Sequence, residues 1–140
     1  MDSLHYLWMK TYLQMKRLVN AQAGALGLSP GQPKILEFLA EYGEHEQKAI
    51  AEYCEIEPAT AGSILLRMET AGLVVRRNHP DNRRSLYVSL TPEGQRMAQK
   101  VCGIFAAVEE QVTAGLTAGE RTLLRQLLGK CMQDGKGSLE

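Results

Sequence analysis

The chain has 140 residues, a formal net charge of zero, 44% hydrophobic and 23% charged residues, the proportions of one globular domain with room for a core. It has no run of about 18 apolar residues and no basic leader ahead of a short apolar stretch, which excludes a membrane-spanning or exported protein from the expectation. Cys54, Cys102 and Cys131 are odd in number and form no CxxC pair, which fits a reducing cytoplasm better than a disulfide framework.

Neutral net charge does not advertise a nucleic-acid binder, so any such affinity must come from the distribution of charge. That distribution is uneven. Arg76, Arg77, Arg83 and Arg84 surround the single acid Asp81, whereas Glu37, Glu41, Glu44, Glu46, Glu52, Glu55 and Glu57 crowd the preceding segment around Lys48.

In chain order, Leu4, Leu7, Trp8, Thr11, Met15, Leu18 and Val19 recur at helical spacing, which predicts an amphipathic first helix ending near Gly24 and Gly27. Ser29 and Pro30 then read as the N-cap and first-turn proline of a second helix. Its buried stripe is expected to be Ile35, Leu36, Leu39 and Tyr42, with Gly43 as the stop. Gln47 to Tyr53 reads as a short third helix, and a fourth starts at or near Pro58, completing a helix-turn-helix. Ala61, Ile64, Leu65 and Met68 supply its inward face. Ala59, Thr60, Gly62, Ser63 and Arg67 are left to point elsewhere, small enough to let the helix sit deep in a groove.

Gly72 ends that helix, and Leu73, Val74 and Val75 open a strand that runs through Arg76 and Arg77 into a turn over 78–82. Leu86, Val88 and Leu90 alternate with Tyr87 and Ser89 as the return strand. Thr91 and Pro92 open a fifth helix with Met97, Val101, Ile104, Phe105 and Val108 on its apolar side. Thr117 and Glu120 form a capping box for a sixth, striped by Leu123, Leu124, Leu127, Leu128 and Cys131. The fold class is therefore mainly α with a small antiparallel β wing, a winged helix-turn-helix. Such a fold places its fourth helix in the major groove of duplex DNA and its arginine-tipped hairpin beside the minor groove. The candidate DNA contacts are Ala59, Thr60, Gly62, Ser63, Arg67, Arg76, Arg77, Arg83 and Arg84, one of the Arg76 and Arg77 pair having to turn inward or along the strand.

The strings LSPGQPKILEFLA, PATAGSILLRMETAGLV, DNRRSLYVSLTPEG and LTAGERTLLRQLLGKC fall in an order and spacing that resembles the MarR family of bacterial transcription regulators. The resemblance implies a single domain over 1–140: a DNA-binding part at 29–91, dimerisation helices at 1–28 and 92–132, and a flexible tail at 133–140. It also implies a homodimeric cytoplasmic repressor on a pseudo-palindromic operator, with its reading helices roughly 34 to 36 Å apart. A small-molecule effector cleft is a further implication, for which Trp8, Tyr12 and Met15 are candidates.

Two departures from the family pattern stand out. The wing motif Asp-x-Arg maps onto Asn82 and Arg84, and Ser63 replaces a long polar residue on the reading helix. Other readings stay open: a winged-helix module for protein contact without DNA, and a redox-responsive regulator using Cys102 and Cys131. The family's peroxide switches carry a reactive cysteine in the first helix, whereas no cysteine precedes Cys54 here. No cofactor, metal or enzyme activity is expected. His5, His45 and His79 lie far apart, HEQKA lacks the second histidine of a zinc-protease motif, and no nucleophile elbow or phosphate loop occurs.

Overall fold

The computed structural model describes residues 1–136. The chain divides into one compact unit, Met1–Val108, and a second that begins at Glu109.

Helix α1 (Leu4–Gly24) is capped by Ser3, whose Oγ accepts the Tyr6 N–H at 3.3 Å. Helix α2 (Gln32–Tyr42) starts later than Ser29 and Pro30 suggested. Those two residues lie in a turn closed by Gln32, which donates its N–H to the Ser29 carbonyl and accepts the Ser29 N–H on Oε1. That local closure satisfies the backbone without a helical turn, so Pro33 takes the first-turn position instead of Pro30. The stripe also differs from expectation. Phe38 is buried, whereas Tyr42 is 49% exposed, its ring 5.1 Å from Phe38 and 5.4 Å from Tyr53.

His45–Glu46 forms a two-residue strand, β1, that periodicity could not reveal at such length. Helices α3 (Gln47–Tyr53) and α4 (Pro58–Thr70) follow with the bounds that Tyr53 and Pro58 indicated. Between them Glu55 adopts φ 55°, a left-handed conformation that costs a side-chain-bearing residue roughly 1 to 2 kcal/mol. The turn is held by the Ile56 N–H on the Ala51 carbonyl at 2.9 Å.

Gly72, at φ 79°, ends α4 in a double closure: its N–H reaches the Glu69 carbonyl and the Leu73 N–H reaches that of Met68. Only a residue without a Cβ adopts that conformation at little cost. Strands β2 (Val74–His79) and β3 (Asn82–Leu90) then pair antiparallel, and β1 adds to the free edge of β3, giving the order β1-β3-β2. Helix α5 (Pro92–Val112) departs from the sheet through a tight joint. Thr91 donates its N–H to the Leu73 carbonyl and its hydroxyl to the Gly72 carbonyl, while its Oγ1 accepts the Gly94 N–H. A Cβ at Gly94 would collide with the Leu73 carbonyl, so the Thr-Pro-Glu-Gly exit is a packing requirement.

The core of the first unit gathers Leu28 with α2 (Ile35, Leu36), α3 (Ile50), α4 (Leu65, Met68), β2 (Val74), β3 (Val88) and α5 (Val101). The inward Ala61, Leu65 and Met68 match the sequence reading, whereas β3 buries Val88 alone and leaves Leu86, Tyr87, Ser89 and Leu90 half-buried without the expected alternation. In the second unit, α6 (Ala118–Lys136) opens on the expected capping box: Thr117 N–H to Glu120 Oε1 at 2.8 Å, Glu120 N–H to Thr117 Oγ1 at 3.1 Å. Helix α6 runs through Lys136 into the stretch expected to be a flexible tail, and residues 137–140 of that stretch lie outside the described residues. No helix among the described residues is long and apolar enough to cross a membrane.

Candidate nucleic-acid interface

Helix α4 turns Ala61, Leu65 and Met68 into the core and leaves Ala59, Thr60, Ser63, Leu66 and Arg67 exposed. Ser63 returns its hydroxyl to the Ala59 carbonyl at 3.3 Å, keeping its lone pairs outward. Gly62 is only half-exposed. A Cβ there would lie 3.3 Å from Gln47 Nε2, so its smallness serves the contact with α3 as much as any outward groove.

The wing tip is a bulge. Pairing runs regularly from Val74↔Leu90 to Asn78↔Leu86, then jumps to His79↔Asn82, leaving Arg83, Arg84 and Ser85 without cross-strand partners. A bulge frees backbone groups that need other partners, and two asparagines supply them. Asn78 Nδ2 donates to the carbonyls of Arg83 (2.6 Å) and Ser85 (3.2 Å), while Asn82 Oδ1 accepts the Arg84 N–H at 3.1 Å. Asn82 Nδ2 also donates to Ser85 Oγ at 2.8 Å, and that hydroxyl donates to Glu46 Oε1 at 2.8 Å. The amide at the place of the family's acid therefore does something an acid cannot: it donates, which turns the Ser85 proton toward Glu46. Among the described residues no carboxylate pairs with the Arg83 or Arg84 guanidinium, and both residues are exposed.

The other arginine pair divides. Arg77 is exposed and pairs with Glu44 at 3.1 Å, an arrangement of little net stability in solvent. Arg76 is turned in, its side chain 14% exposed, with Nη2 on Glu69 Oε1 at 3.2 Å and Nη1 on Gln47 Oε1 at 3.1 Å. The acidic segment ahead of α4 is likewise partly engaged: Glu44 holds Arg77 and Glu46 holds Ser85. Sequence reasoning missed Gln47 and Glu46, because each acts through a long-range partner that no local pattern encodes, and Asn78, because its partners across the hairpin depend on the register of the bulge.

A cavity of about 450 Å³ opens beside the reading helix. Tyr12 and Met15 of α1 line it, together with Lys16, Lys34, Phe105 and two residues of α4, Thr60 and Ile64. Trp8 is not in its lining and stands 47% exposed.

Cys54 and Cys102 offer little to an oxidant. Burial pushes the Cys54 thiol up to about 11, with Lys34 opposing and Glu37 adding to the rise. Cys102 is raised as well, first by burial and then by Glu37 and Glu41. A raised thiol is a poor nucleophile at neutral pH. Cys131 lies exposed on α6. Among the described residues no group of three His, Cys, Asp or Glu side chains is placed to hold a metal ion.

A MarR family model matches residues 28–86. The transcriptional regulator HosA of Escherichia coli O111:H- is 32% identical over 105 residues, covering 75% of this chain and 78% of that protein. The homoprotocatechuate degradative operon repressor of Escherichia coli is 32% identical over 114 residues, 81% of this chain and 76% of its own length. Among solved structures, a MarR family regulator from Listeria monocytogenes complexed with 26mer DNA superposes with a TM-score of 0.88 at 19% identity, over 96% of this chain and 89% of that one.

Proposed function

Because this chain belongs to the MarR family, we propose that it is a sequence-specific, DNA-binding transcriptional regulator that acts as a repressor. The observation that carries the reading is the pairing of an exposed small-residue face on α4 with a bulged wing tip whose two guanidiniums have no acid partner among the described residues. Helix α4 enters the major groove with Thr60 and Ser63 toward base edges and Arg67 toward phosphate, while Arg83 and Arg84 reach the adjacent minor groove. Arg77 joins them on phosphate by exchanging Glu44 for the DNA backbone. The relatives named above are regulators, and this chain is read as working like them, in the cytoplasm and without catalysis.

Two copies joined through α1 and α6 present two such probes to a pseudo-palindromic operator. Relief of repression runs through the cavity that Tyr12 and Met15 share with Thr60 and Ile64. A small effector seated there touches the reading helix directly, so it binds better to one placement of α4 than to another. That difference is all an effector needs to shift operator affinity.

The test is selection of duplexes from a random-sequence pool, followed by titration of the selected duplex at several salt concentrations. The expected outcome is a symmetric motif and a log K that falls by several units per unit of log salt. Arg84→Ala weakens binding by about 1 to 3 kcal/mol. A flat salt response, or no selected motif, supports instead a winged-helix module for protein contact.

A further inference from the structure

Glu46 and Gln47, adjacent at the head of α3, touch the wing and the reading helix together. Glu46 accepts the Ser85 hydroxyl at 2.8 Å and so reaches the bulge that carries Arg83 and Arg84. Gln47 presents Oε1 to Arg76 Nη1 at 3.1 Å on β2 and Nε2 to Gly62 in the middle of α4, where a Cβ would stand 3.3 Å away. Arg76 closes the circuit. Its Nη2 and its backbone N–H both reach the Glu69 carboxylate near the end of α4, at 3.2 and 3.3 Å. Strand β2 is thus tied to α4 directly at Glu69 and to α3 at Gln47, whose amide lies beside Gly62.

The cost of the arrangement shows what it is for. Arg76 Nε is buried without a partner among the described residues, because both terminal nitrogens are committed to different elements. Buried polar atoms are rarely left unpaired, and an exception calls for a reason. Here the reason is span: a guanidinium is planar and forked, and only that shape reaches an amide on one helix and a carboxylate on another. The same commitment takes Arg76 out of reach of phosphate, since its side chain is 14% exposed.

We propose that Gln47 and Arg76 are positioning residues, a joint at the head of α3 that sets the angle and distance between reading helix and wing, and that Arg76 acts on DNA only through Gln47 and Glu69. The inference rests on the DNA-binding reading above. A groove-reading helix and a minor-groove probe engage one duplex together only if their separation is held, so the joint governs how well both fit at once.

The probe is the duplex that the parent protein selects from a random pool, with affinity measured across a salt series and minor-groove protection mapped by hydroxyl-radical footprinting. Gln47→Leu removes the acceptor for Arg76 and is expected to weaken binding on the order of tenfold, the scale of one lost charged hydrogen bond. Its salt slope stays that of the parent and its wing footprint becomes diffuse. Gln47→Glu keeps an acceptor for Arg76 and restores the footprint. Gly62→Ala places a methyl against Gln47 on a helix that folds more readily, and it weakens binding in the same manner even should the leucine variant fail to fold. Parental affinity and footprint in Gly62→Ala and in a folded Gln47→Leu overturn the inference. So does a salt slope lowered by about one, which is the mark of a lost phosphate contact. If the parent itself binds no duplex, the DNA-binding reading falls and this inference with it.

Discussion

Cys54 has 6% of its surface exposed and directs its thiol at the Lys34 carbonyl, 3.6 Å away. Burial raises its pKa from 9.0 to about 11, which ties stability to pH with a definite sign. Below pH 9 the thiol is neutral in both the folded and unfolded chain and its contribution is complete; between 9 and 11 the unfolded chain ionises first, and stability falls. Urea denaturation from pH 7 to 11 is expected to show that decline in the parent and a shallower one in Cys54→Ala. Equal slopes for the two proteins would exclude Cys54 as the source. Tyr53 acts in a higher window, 10 to about 12, where the Tyr42 hydroxyl and then burial hold its proton. None of this was legible from residue order, since the chain shows three cysteines but not which are covered. Asn82 is similar. Its departure from the family's acid was plain in the sequence, yet its purpose depends on a register jump that only the folded hairpin displays.

Elements were more legible where a proline, a glycine or a local side-chain cap marks their ends. Pro58 and Gly72 bracket α4, and Thr117 with Glu120 opens α6, because each acts within a few residues of itself. The start of α2 was misread because Ser29 and Pro30 suit a turn as well as a cap, and Gln32 decides between them through a side-chain hydrogen bond. Strand β1 was invisible because two residues carry no period and pair only with distant β3. The junction between wing and α5 carries the sharpest consequence at this scale. Gly94 lies against the Leu73 carbonyl, which itself accepts the Thr91 N–H, so backbone meets backbone with no flexible side chain to yield. Gly94→Ala therefore displaces α5 from the sheet, and the expected loss is about 1 to 3 kcal/mol, the range for forcing extra atoms into a packed site. Chemical denaturation measures it, and a variant as stable as the parent would show that the joint opens freely.

On the scale of the whole molecule, two helices are apolar beyond the needs of a single chain. In the first unit α1 exposes Leu4, Leu7, Trp8, Met9 and Tyr12; in the second, α6 exposes Leu123, Leu124, Leu127, Leu128 and Met132. The sequence already showed both stripes, but a stripe does not say whether its cover comes from the same chain or another. Within each unit the structure leaves them uncovered, and patches of this kind mark association surfaces. A second copy is the cover proposed here, since each large side chain buried contributes about 1.5 to 3 kcal/mol and such helices together supply what a stable dimer needs. Sedimentation equilibrium at micromolar concentration is expected to give twice the chain mass of 15.5 kDa, and the melting temperature should rise with concentration. Leu127→Glu puts a charge on the α6 stripe, so its mass should fall toward that of one chain. Its operator affinity should fall with it, because a lone probe engages one half-site and forfeits the effective concentration supplied by the other. A parent that sediments as one chain, or a Leu127→Glu monomer that binds the full operator as tightly as the parent, would remove symmetry from the mechanism and leave one helix and one wing to do all the reading.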